Sequence, residues 1–148
     1  MQGHRSNRVT APLPLVSAVL VAALLVTGYK PYDRATWLME VFPVLIVLPV
    51  LWFTRKRFEL TRLLYLLIGL HGLILIVGGA YSYARVPLGD WLQSVLHLSR
   101  NPYDRIGHFA QGFIPAVAVR EILIRGRYVP NPRMLAFLVA CVVLAISA

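Results

Sequence analysis

Long apolar runs alternate along the chain with short polar connections rich in arginine. The runs at 13–29, 37–54 and 61–80 are built almost wholly of Leu, Val, Ile, Ala, Gly and aromatic residues. A fourth at 104–124 is more mixed, and a fifth at 134–148 is still apolar at the last residue. A helix that crosses a bilayer needs roughly 20 mostly apolar residues, with about 17 to 25 tolerated. The pattern therefore predicts an all-α, polytopic membrane bundle of about five transmembrane helices, forming one domain over 1–148. The fifth run is expected to be a helix cut short, the sequence being C-terminally truncated.

The longest connection has a pattern of its own. Leu88, Trp91, Leu92, Val95 and Leu96 recur at helical spacing, and Asp90 stands where a cap would. This predicts an interfacial helix at 90–99, lying on the membrane with Trp91 among the headgroups. A soluble cap packed over the bundle is the alternative.

Composition supports lipid as the solvent. The chain is 58% hydrophobic and 14% charged, against about a quarter charged in a typical soluble domain. Its 148 residues are too few to bury so many apolar segments in a water-soluble core. The net charge of +9 does not point to nucleic acid, because the arginines cluster between apolar runs, as in loops facing an anionic leaflet. The expected partners are membrane lipids. Arg5 and Arg8 could flank a signal peptide, but no small-residue cleavage site follows, so an uncleaved first helix is expected. With the N-terminus inside, the inner segments hold ten of the 15 Lys and Arg: Arg5, Arg8, Arg55, Lys56, Arg57, Arg62, Arg120, Arg125, Arg127 and Arg133. The outer loops hold Lys30, Arg34, Arg85, Arg100 and Arg105. The N-terminus is thus expected in the cytoplasm. Cys141, the single cysteine, lies in an apolar run and reads as a small buried packing residue.

Pro31-Tyr32-Asp33-Arg34 recurs as Pro102-Tyr103-Asp104-Arg105, each copy just before an apolar run. Seven residues after the Asp stand Glu40 and Gln111, each followed by a Phe and a Pro. Parallel helix repeats, an arrangement found among transporters, would account for this. Helix initiation accounts for it too, since Asp caps a helix start and complements its dipole.

The second copy carries more chemistry. Asp104, His108 and Gln111 fall on one helical face, with Arg105 adjacent. Ionisable groups in apolar spans usually face a bundle interior or a water-filled cavity. An Asp four residues before a His can hydrogen-bond it and fix its tautomer. An acid/base pair, a partial metal site and a polar lock between helices all remain open. One His and one Asp are too few for a metal, which takes three or four protein ligands. Glu40 is the best local partner, with Asp33 and Arg34 as further polar candidates. His71, the deepest ionisable group, is expected as a neutral imidazole hydrogen-bonded across helices, or as a proton relay. Glu121 and Glu59 read as surface charges.

The run from Leu98 to Phe109, with Gly112-Phe113-Ile114-Pro115 and Arg120-Glu121-Ile122-Leu123, resembles the YjdF-type bacterial inner-membrane family, a domain of unknown function. So does Gly28-Tyr29-Lys30-Pro31-Tyr32-Asp33-Arg34 through Trp37 and Glu40 to Pro43. The resemblance implies a Tyr-Glu-Leu-Ile-Glu segment, an Asp-bearing loop and a last helix beyond Ala148, with acidic residues available to complete a site with Asp104 and His108. More distantly, Asp104-Arg105-Ile106-Gly107-His108-Phe109 is similar to the signature of VanZ-like membrane proteins, which implies an envelope location. Together these lead to the expectation of an envelope-facing inner-membrane protein whose Asp104, Arg105 and His108 act on or bind a lipid or envelope component. The alternatives are a small carrier with His71 in its path, and a structural membrane partner. No substrate, cofactor or oligomeric state is specified.

Overall fold

The computed structural model describes residues 12–147. Arg5, Arg8 and Ala148, which bear on the orientation and truncation expectations, lie outside them. Six helices follow one another: α1 Leu13–Tyr29, α2 Arg34–Thr54, α3 Arg62–Tyr81, α4 Pro87–Val95, α5 Tyr103–Arg125 and α6 Pro132–Ser147. There is no strand among the described residues.

α3 is the centre of the assembly: α1, α2 and α5 pack on it, and α6 packs on α5. Close approach explains why. A Cβ added at Gly69 would meet Val16 Cγ1 at 2.8 Å, and one at Gly72 would meet Leu20 Cδ2 at 2.9 Å, so α1 lies in a groove that only glycines leave open. Val16 and Leu20 of α1, Val41, Val44 and Leu48 of α2, and Leu75 and Ile76 of α3 form the main buried cluster. Indole hydrogen bonds tie α2 to α1 near both ends: Trp37 Nε1 donates to Thr27 Oγ1 at 3.1 Å and Trp52 Nε1 to Ser17 Oγ at 2.9 Å. The outward faces are apolar, with Leu25, Val26, Phe53, Phe137 and Leu144 largely exposed. Such a surface suits lipid and would be an aggregation hazard in water. α2 and α3 are long and apolar enough to cross a membrane, whereas α1 and α6 are shorter apolar helices.

Several expectations are corrected. α2 begins at Arg34 rather than at 37, because Asp33 caps it: its Oδ2 accepts from Thr36 N at 2.7 Å. The loop helix runs Pro87–Val95 rather than over 90–99. Pro87, whose missing N–H is no loss in a first turn, starts it, and Asp90 is not the cap. The Asp90 carboxylate instead accepts from Asn101 Nδ2 at 2.8 Å. The helix ends where His97 turns left-handed, with φ 49°, and Leu98 N reaches back to Gln93 O. Leu88, Trp91, Val95 and Leu96 face outward. Cys141 is exposed, because α6 packs only one face on α5.

Glu121 is not a surface charge. At 13% side-chain exposure it accepts from Thr61 N at 2.7 Å, from Thr61 Oγ1 at 2.6 Å and from Arg125 Nη1 at 3.0 Å. Thr61 in turn caps α3 by accepting from Leu64 N. A carboxylate of α5 therefore completes the α3 cap, much as a capping-box Glu does within one helix. This polar lock lies at the end of the bundle opposite the two Pro-Tyr-Asp-Arg segments.

Candidate functional site

α2 and α5 lean on α3 from two sides, and the space between them holds two cavities. The one nearer the Pro-Tyr-Asp-Arg end is polar, about 380 Å³, and lined by Met39, Glu40 and Pro43 of α2, Leu75 of α3, Tyr83, and Asp104, Gly107, His108 and Gln111 of α5. Glu40 is thus brought to the face that Asp104, His108 and Gln111 share. Arg105, Asp33 and Arg34 are exposed and not among the lining residues.

The two sequence copies sit in related ways about this space. Glu40 and Gln111 both line the polar cleft, while Phe42 and Phe113 both point outward. The helix starts differ, however. Asp33 is the N-cap of α2, whereas α5 begins at Tyr103, so Asp104 lies within its first turn. That shift frees the Asp104 side chain from capping. His108 Nε2 is 3.5 Å from Asp104 Oδ1, longer than a well-formed hydrogen bond. The imidazole is 74% and the carboxylate 58% exposed.

Tyr83 is the residue that reading the sequence missed. It follows the α3 C-cap with φ 50°, a left-handed conformation that returns the ring onto its own helix. A Cβ on Gly78 would meet its Cζ at 2.5 Å and one on Gly107 its Cε1 at 2.7 Å, so the ring is held between α3 and α5 by two glycines. Its hydroxyl donates to Glu40 Oε2 at 2.9 Å. Burial, and then this hydrogen bond, push the phenol well above the ordinary tyrosine range, so it remains a donor. Beneath it Tyr103 stacks obliquely, with ring centroids 6.0 Å apart, and donates to Ile74 O. The one signal in the sequence was the small residues Gly78 and Gly107, which leave room on their helices for a close neighbour.

The second cavity lies deeper, is apolar and holds about 290 Å³. His71 lines it. The expected cross-helix hydrogen bond is absent: Nδ1 is buried with no partner, because its neighbours, including Val44, Leu48 and Ile114, are apolar. Among the described residues no three His, Cys, Asp or Glu gather as metal ligands would.

The match to known proteins covers nearly the whole chain. Residues 13–148 fit the family described as "Predicted membrane protein (DUF2238)". The chain is 54% identical over 144 residues to "Inner membrane protein YjdF" of Escherichia coli (strain K12), covering 96% of this chain and 69% of that protein. These findings bear out the YjdF-type resemblance and do not extend to the VanZ-like one. No solved structure matches. By the extent of both matches, the chain belongs to the DUF2238 family of predicted membrane proteins.

Proposed function

We propose that this is a multi-pass protein of the bacterial inner membrane whose polar cleft binds the headgroup of a lipid or other envelope component at the outer face. In this reading α1, α2, α3, α5 and α6 cross the bilayer and α4 lies along its surface. The N-terminus is cytoplasmic, as the excess of Lys and Arg on the Thr61–Glu121 side of the bundle favours. The location is supported by the printed name of the Escherichia coli relative. The observation that carries the functional reading is the convergence of Glu40, Tyr83, Asp104, His108 and Gln111, from three parts of the chain, on one open cleft at the ends of apolar helices. Ionisable groups gathered on one cavity of an apolar bundle mark a site for a polar ligand.

The test is native mass spectrometry of protein purified from bacterial membranes in mild detergent. Asp104→Asn and His108→Ala should reach normal membrane abundance and lose an envelope lipid that the unaltered protein retains. Disappearance of both variants from the membrane would make the pair structural. Retention of the same lipid by both would remove the cleft from function.

A further inference from the structure

The polar cleft and the apolar cavity adjoin. Pro43 and Leu75 line both, so the two lie back to back between α2 and α5 with these side chains at their boundary. The change of chemistry at that boundary is abrupt. Above it are two carboxylates, an imidazole, an amide and a phenol. Below it the lining includes Val44, Val47, Leu48, Leu51, Ile114 and Ile122, and His71 supplies the polar atom. The apolar part extends from Pro43 to Leu51 along α2 and from Ile114 to Ile122 along α5, roughly 12 Å of helix at about 1.5 Å per residue.

We propose that the two adjoining cavities together hold one amphiphilic molecule: a membrane lipid with an amine-bearing headgroup in the polar cleft and a hydrocarbon chain passing Pro43 and Leu75 into the apolar cavity below. The inference rests on the cleft reading above and adds the ligand's class. Three observations favour it. The cleft lining carries Glu40 and Asp104 but no Lys or Arg, although the whole chain is +9; a cleft lined by one sign of charge concentrates the opposite one. The apolar cavity is of a length and lining that suit an alkyl chain and reward each methylene placed there. His71, one turn of α3 below Leu75, has a buried Nδ1 without a partner just under the boundary. A lipid presents a hydroxyl or an ester carbonyl at that level, between head and chain, and an imidazole nitrogen can accept from the one or donate to the other.

The experiment titrates the full chain in detergent with palmitoyl lysophosphatidylethanolamine and, in parallel, with palmitoyl lysophosphatidylglycerol, which has the same chain length but no amine. Ala118 lines the apolar cavity and not the cleft, so Ala118→Trp adds bulk to the chain site while leaving every cleft residue unchanged. Excluding even two methylenes should weaken the ethanolamine lipid roughly tenfold. Asp104→Asn should weaken it too, and the glycerol lipid should bind less tightly than the ethanolamine lipid to the unaltered protein. Where Ala118→Trp is not monodisperse, the smaller Ala118→Leu takes its place. Unchanged affinity in the cavity variant, with Asp104→Asn still weakened, overturns the chain assignment and leaves the cleft standing. Equal affinity for the two lipids overturns the headgroup assignment. Indifference of all variants overturns the inference and the cleft reading together.

Discussion

Gly107→Ala is the smallest change that should disturb the cleft without altering any polar group. The added Cβ would lie 2.7 Å from Tyr83 Cε1, closer than real Cβ contacts come, and the retreat of the ring is limited by its close approach to Gly78 of α3. The Tyr83 backbone is already left-handed, so it too has little room to relax. Overpacking of this kind costs about 1–3 kcal/mol. A ring displaced by several tenths of an ångström also lengthens the 2.9 Å hydrogen bond to Glu40, worth about 1.5–3 kcal/mol where the acceptor is charged. Tyr83→Phe removes that bond alone. If the alanine acts by pushing the hydroxyl off Glu40, the double variant should be less destabilised than the two single effects added, by about 1 kcal/mol or more. Reversible unfolding in mixed micelles, followed by circular dichroism, measures all three variants. Strict additivity, or a Gly107→Ala protein as stable as the original, would refute the claim that two glycines position Tyr83 on Glu40.

Further outcomes follow from the same geometry. Thr61→Ala should destabilise by about 1 kcal/mol as a lost N-cap, and Glu121→Ala by a similar amount; because they share one lock, the double variant should fall short of the sum in the same unfolding assay. Hydrogen bonds from Thr36 hold the Asp33 carboxyl below its ordinary 3.8. A folded-state pKa that is depressed gives stability fully present above the unfolded value and lost as pH falls through the folded one. The melting difference between the original protein and Asp33→Ala should therefore stay constant from neutral pH to about pH 5 and vanish only in stronger acid; a difference that fades near neutrality would count against the cap. A cysteine at exposed Ser99, in a Cys141→Ser background, should react with an impermeant maleimide in intact spheroplasts. Protection there would invert the orientation.

The apolar runs made the helices legible, since length and hydropathy alone mark 61–80, and α3 is found at Arg62–Tyr81. Boundaries set by caps were harder. Asp33 lengthened α2 and Pro87 moved α4, and both effects depend on which residue adopts the first non-helical conformation rather than on hydropathy. The face shared by Asp104, His108 and Gln111 was readable from helical spacing, and Glu40 from the repeat. Tyr83 was not, because its place depends on a left-handed turn after Ser82 and on glycines from two helices far apart in sequence. Glu121 was misjudged for the related reason that its partner, Thr61, is 60 residues away; a neighbouring arginine in the sequence pointed to an exposed pair. His71 was expected to find a partner across helices, but what surrounds it is decided by which faces of α2 and α5 meet the gap.

The central claim is that Glu40 and the Asp104–His108 pair face each other across one cleft. In native membranes, a protein carrying Met39→Cys and His108→Cys with Cys141→Ser, both substituted positions lining that cleft, can be treated with a short bis-maleimide and weighed intact. A single cross-linker bridging both thiols is the expected product. Two separately labelled thiols, with no bridge at any reagent concentration, would contradict the account.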